Sequence, residues 1–252
     1  IEKKLHYFDE RNQITLNSPE TSTIGFSKKI YIDKHGFRVP NINYNYLDSR
    51  NSILILGDSV TFGTGVDEED SFVGLMRKNF KMFNVYNTST TGYNLEHYLK
   101  LISMNKNLNN LNNILLIFTL NDVQFLEKEK ESYEKIKENK KIINNLKKIE
   151  ILNKINVIFR DKSVTYMLVK GIFTKPSNRY FEEMYAYYKS PNLENELYNK
   201  FEELKKLANS MDLDLNIVLL PYEFQTRKSI CNIKFNKPQK MLNKILSNLE
   251  IK

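Results

Sequence analysis

The chain of 252 residues is short of the residues on which disulfide, metal and membrane functions depend. It has one cysteine, Cys231, so no disulfide can close within it. Its three histidines, His6, His35 and His97, are scattered, and no Cys or His pair stands at zinc-ligand spacing. No stretch approaches the roughly 18 consecutive apolar residues of a membrane span. The glycine-rich turn around Gly57 lacks the Gly-Lys-Ser/Thr ending of a phosphate-binding loop. A dinucleotide fingerprint would need a third glycine where Glu68 stands. Basic residues exceed acidic ones, 38 to 30, but the excess is spread along the chain with no basic stripe among aromatics. Nucleic acid is therefore not expected as a partner.

The apolar fraction of 41%, with 15 tyrosines and 15 phenylalanines, supplies core for one α/β domain with insertions. The chain is organised around Ile53 to Val66, ILILGDSVTFGTGV. Ile53 to Leu56 is apolar without alternation, as in a parallel strand buried on both faces. It breaks at Gly57-Asp58-Ser59, which puts Ser59 at the carboxyl end of the strand, where open α/β sheets bind ligands. Three further buried strands are expected at 83–86, 114–119 and 215–220, parallel and neighbouring, with helices on both faces. Residues 1–50 read as an irregular leading segment, apart from a short strand near Tyr31 to Asp33. Asp67-Glu68-Glu69-Asp70 reads as the acidic start of a helix running to about Phe80. A further helix is expected from Asn94 to about Leu108, with His97 as an ordinary helical residue.

The segment from Ile53 to Val66 resembles block one of the SGNH (GDSL-type) hydrolases and acyltransferases, in which the serine of Gly-Asp-Ser is the nucleophile. Thr61-x-Gly63-x-Gly65 extends the match, and Asp33-x-x-Gly36-Phe37-Arg38 resembles a segment that often precedes that block. His35 and Arg38 read there as a turn histidine and a salt-bridged arginine. The loop after the second strand, with Gly92, resembles block two. Asn121-Asp122 after the third strand resembles block three, with Thr119 where the family carries glycine. The resemblance implies a three-layer, flavodoxin-like α/β fold. It also implies an oxyanion site made by the Ser59 N–H, the Gly92 N–H and the Asn121 amide. Asp122 is expected to bond neighbouring backbone, and Asp58, Thr61, Asp122, Tyr222 and Glu223 are expected to line the site.

Residues 51–126 are expected to be the first part of this core, 127–190 a helical insert at the rim of the site, and 191–252 the continuation. Leu193, Leu197, Phe201, Leu204 and Ala208 mark one face of an amphipathic helix in that continuation. The family's base is the histidine of an Asp-x-x-His motif after a fifth strand, and no such motif occurs in residues 1–252. The expectation is that the chain stops ahead of that strand; the rival is a degenerate member that binds without catalysis. The resemblance further implies a small acyl ester, acetyl above all, of carbohydrate or lipid as substrate. It implies no cofactor, and either water or a sugar hydroxyl as acceptor. Because the chain begins with Ile1, an upstream signal or anchor, membrane association through it and an extracytoplasmic location are expectations as well.

Overall fold

The computed structural model describes residues 4–25, 27–123, 176–226 and 236–252. It divides into two units. The first comprises Ile1–Asp122, Glu194–Pro221 and Gln239–Lys252; the second comprises Val123–Leu193 and Tyr222–Pro238.

The leading segment is not irregular. Strands β1 (His6–Asp9) and β2 (Ile14–Asn17) form an antiparallel hairpin. β3 (Thr21–Gly25), β4 (Lys28–Ile32) and β5 (Arg38–Val39) form a three-stranded antiparallel sheet. Their alternation is broken by short polar turns and half-exposed faces, so a reading by period finds too few repeats in each strand. The turn from β4 to β5 is built by Asp33, whose Oδ1 accepts from the N–H groups of His35 (2.8 Å) and Phe37 (2.9 Å).

The core of the first unit is a parallel sheet of β6 (Asn51–Leu56), β7 (Phe83–Asn87), β8 (Leu111–Phe118) and β9 (Asp214–Leu219), in the order β7-β6-β8-β9. Numbered within the sheet that is 2-1-3-4, the flavodoxin-like order. One sheet face presents Ile55, Val85 and Ile117, which pack with Val73 of α2 (Phe72–Asn79). The other presents Leu54, Leu56, Leu116 and Phe118, all buried. On that side the Phe118 ring lies 5.4 Å from the ring of Phe201, in α5 (Leu193–Ser210). The five apolar residues of α5 named from its periodicity are fully buried. At the outer edge of β9 the Ile217 N–H donates to the Lys252 carbonyl (2.7 Å).

Two helix starts differ from expectation. α2 begins at Phe72, not Asp67: Ser71 Oγ accepts from the Gly74 N–H (3.1 Å) as its cap, after a 3-10 turn at Glu68–Asp70. Glu68 is buried in an ion pair with Arg77, so the acidic cluster does more than favour a helix dipole. α3 spans Leu95–Met104, with Asn94 and His97 forming a capping box.

In the second unit, α4 (Pro176–Tyr187) and α6 (Glu223–Thr226) are described; residues 127–175 of the expected insert lie outside the described residues. Phe181 is buried there, its ring 5.6 Å from that of Tyr185 and 5.3 Å from that of Phe224. α7 (Lys237–Asn248) closes the chain. No helix among the described residues is long and apolar enough to cross a membrane.

Candidate functional site

β6, β7 and β8 are adjacent and parallel, so the segments that follow them leave the sheet at one edge. Ser59 follows β6, Gly92 follows β7, and Asn121 follows β8.

Ser59 is the first residue of α1 (Ser59–Phe62) and is half-buried. Asp58 caps this single turn, its Oδ1 accepting from the Val60 N–H (2.9 Å). As first residue of a helix, Ser59 has no intrahelical acceptor for its own N–H. The turn fits because Gly57 has no side chain: a Cβ there would stand 2.1 Å from Thr61 Oγ1 and 2.6 Å from Thr61 Cβ. Thr61 is buried against this glycine, so it supports the turn and does not line an open site. At the other end Gly63 takes φ +84°, a left-handed cap that glycine adopts without strain.

Arg38 completes the turn, in a way the sequence reading did not foresee. Among the described residues it has no salt-bridge partner. The residue is 1% exposed, and its guanidinium donates to the carbonyls of Phe62, Gly63 (2.6 Å) and Val66 (2.7 Å). The first two are carbonyls at the end of α1, where a helix leaves its acceptors without intrahelical partners. Burial, with Arg77 nearby, lowers its pKa to about 10, so it stays charged at neutral pH. The Asp33-x-x-Gly36-Phe37-Arg38 segment thus shapes the turn that carries Ser59. The signal was in the sequence as an arginine after a tight Asx turn, without an acidic partner at hand.

The loop after β7 is tied to the same place. The Thr88 N–H and Oγ1 both donate to the Ile55 carbonyl (3.2 and 2.9 Å), and Asn87 Nδ2 donates to the Thr61 carbonyl (3.3 Å). Asn17 Nδ2 holds the Ser89 carbonyl (3.2 Å), while Thr90 Oγ1 donates to Asn17 Oδ1 (2.8 Å). Gly92 is exposed in this loop, and its N–H has no acceptor among the described residues.

After β8 the arrangement is denser. Asn121 Nδ2 donates to Asp58 Oδ2 (2.9 Å), which joins the ends of β6 and β8 beside Ser59. Asn121 Oδ1 accepts from Thr119 Oγ1 (2.8 Å). Asp122 is fully buried; its Oδ2 accepts from the Tyr98 hydroxyl (2.9 Å) and the Thr119 N–H (3.0 Å). Burial, and then the charge of Asp58, push the Asp122 carboxyl well above the ordinary range. Burial and Asp122 raise the Tyr98 phenol in the same way.

The histidines are occupied elsewhere. His6 Nδ1 lies 3.1 Å from Thr90 Oγ1, and its ring meets Phe62 edge-on at 6.2 Å. His35 stacks on Phe37 and lines a cavity of about 420 Å³ with Leu16, Tyr93 and Met104; Ser59 is not among the described walls. His97 Nδ1 lies 3.2 Å from the Asn94 N–H and 2.7 Å from Asn94 Oδ1, so its tautomer decides which of the two it bonds. Ser59 Oγ makes no hydrogen bond to any histidine among the described residues. Tyr222 and Glu223 belong to the second unit, where the Tyr222 N–H donates to Gln225 Oε1 (2.9 Å). Among the described residues no three His, Cys, Asp or Glu side chains group as a metal site.

Fold and site together define an α/β domain with a serine at a helix start on the carboxyl edge of a parallel sheet. No family model matches the chain, and no curated protein matches it. Solved structures similar to it include one described as "Crystal Structure of TesA", at 10% identity over 80% of this chain and 76% of that one, with a TM-score of 0.42. At that identity and score, the chemistry of the site rests on its own geometry.

Proposed function

We propose that the chain carries a serine acyl-transfer site that hydrolyses small esters or passes their acyl group to a hydroxyl. The observation that supports this reading is the bond between Asn121 and Asp58, the residue before the half-buried Ser59 at the end of β6. In the proposed step Ser59 Oγ attacks the ester carbonyl carbon and its proton passes to a base. The alcohol leaves with a proton, and the acyl-serine is then released to water or to a sugar hydroxyl. The Ser59 and Gly92 N–H groups and the Asn121 amide are the proposed oxyanion donors, each contributing about 3 kcal/mol to the transition state. The preferred substrate is an acetyl ester of carbohydrate or lipid, and an extracytoplasmic location accords with it.

A second reading is a binding domain that keeps the fold without turnover. It is favoured by one observation: no histidine among the described residues bonds to Ser59 Oγ. Hydrolysis of 4-nitrophenyl acetate by the full chain separates the two. The expected result is turnover that falls about a thousandfold or more in Ser59→Ala. Equal rates in the two proteins, or none in either, would leave the binding reading standing.

A further inference from the structure

The Thr119 hydroxyl has one proton and three acceptors around it. Asn121 Oδ1 lies at 2.8 Å, Asp122 Oδ1 at 3.0 Å and Asp58 Oδ2 at 3.2 Å. Thr119, Asp58 and Asp122 are out of water, each no more than 2% exposed, and Asn121 beside them is half-buried. Asn121 Nδ2 donates to Asp58, which fixes the amide with its oxygen toward Thr119. A flipped amide would set its oxygen against the Asp58 carboxylate. The Thr119 proton is therefore used on Asn121. The contact from Thr119 to Asp122 Oδ1 then joins two oxygens at 3.0 Å in a buried site, and a proton on Asp122 makes it a hydrogen bond. Asp122 is the group that can carry it, since its other oxygen already accepts from Tyr98 and from the Thr119 N–H.

We propose that Thr119 is a positioning residue for Asn121, acting in a directed chain from a protonated Asp122. The chain runs from Asp122 Oδ1–H to Thr119 Oγ1, from Thr119 O–H to Asn121 Oδ1, and from Asn121 Nδ2–H to Asp58 Oδ2. Each of these three contacts then has one proton, and the longest contact of the Thr119 hydroxyl, to Asp58 Oδ2 at 3.2 Å, is the one left without. The charged and titratable groups facing Asp122 are Asp58, at the end of β6, and Tyr98, on α3; burial and Asp58 both favour its neutral form. The standing of this chain as catalytic machinery rests on the acyl-transfer reading of Ser59, but the chain itself does not.

The test uses the full chain, with Thr119→Val, Thr119→Ser and Asp122→Asn. Infrared spectra at neutral pH are expected to show a protonated-carboxyl band that disappears in Asp122→Asn. The Asn121 side-chain amide resonance is expected to move in Thr119→Val and return in Thr119→Ser. Hydrolysis of 4-nitrophenyl acetate should fall about tenfold or more in kcat in Thr119→Val with KM little changed, and recover in Thr119→Ser. Absence of the band in the unsubstituted chain, or an Asn121 resonance indifferent to Thr119→Val, overturns the proposal. If band and resonance behave as expected while no form hydrolyses the ester, the acyl-transfer reading falls and the positioning chain stands.

Discussion

Two residues around Ser59 are held by packing so close that small changes become costly. Arg38 spans three backbone carbonyls from one planar group, and hydrogen bonds to a buried charge contribute more than neutral ones. Lysine keeps the charge but loses the fork, so Arg38→Lys is expected to cost about 2–3 kcal/mol in urea unfolding, with the slope unchanged. Gly57 has no positive φ to excuse it; its constraint is room. Gly57→Ala drives a methyl into the Cβ of buried Thr61 and is expected to cost about 1–3 kcal/mol. The same substitution should slow acylation of Ser59 by a fluorophosphonate probe, because the strain falls on the turn that aims its hydroxyl. Normal stability in the alanine variant would show that Thr61 moves aside freely.

At the scale of elements, α3 opens on a local device. Asn94-x-x-His97 has the spacing of a catalytic pair but closes a capping box, with the His97 ring 5.0 Å from that of Tyr93. Burial lowers the His97 pKa, and Lys100 lowers it further. The folded state therefore prefers the neutral ring. Its contribution is complete above the unfolded value of about 6.5 and is lost as pH falls through the lower folded value. Unfolding free energies at pH 7.5 and 5 should thus diverge between the chain and His97→Gln. Glutamine can still accept the Asn94 N–H but does not titrate. The slope of the difference is at most about 1.4 kcal/mol per pH unit, and His6, lowered by burial in both proteins, cancels from it. A difference independent of pH would mean that burial does not hold the ring neutral.

For the molecule as a whole, the first unit is assembled from three separated stretches of chain. β6 pairs with β7 across some 30 residues, whereas β8 pairs with β9 across some 100. The longer closure costs about 1 kcal/mol more in chain entropy. The β6–β7 pair should therefore form first and β9 should join late. Val85→Ala in β7 is expected to slow refolding, and Ile217→Ala in β9 to speed unfolding, each with a loss of about 1–3 kcal/mol. Stopped-flow chevrons of the two variants decide the order, and a slowed folding limb for Ile217→Ala would reverse it.

The sequence by itself determined what depends on local pattern. Ile53–Leu56 and Ile114–Phe118, apolar without alternation, marked the two central strands, because a strand covered on both faces has no polar side to show; the outer runs carry Asn84 and Asn216. The apolar face of α5 was legible for the same kind of reason, through its 3.6-residue period. Ser59 stood out because the glycine-rich break sits at the end of the first such strand. Tertiary structure alone decided the rest. The small sheets of residues 1–50 pair through backbone bonds that leave little trace in side-chain pattern. Arg38 read as a salt-bridged arginine and Glu68 as part of a helix start, since burial is a property of neighbours distant in sequence. The Asp58, Thr119, Asn121 and Asp122 cluster joins strand ends some 60 residues apart. Whether a carboxyl there is a surface anion or a buried acid depends on the water that folding removes, which no local spacing records.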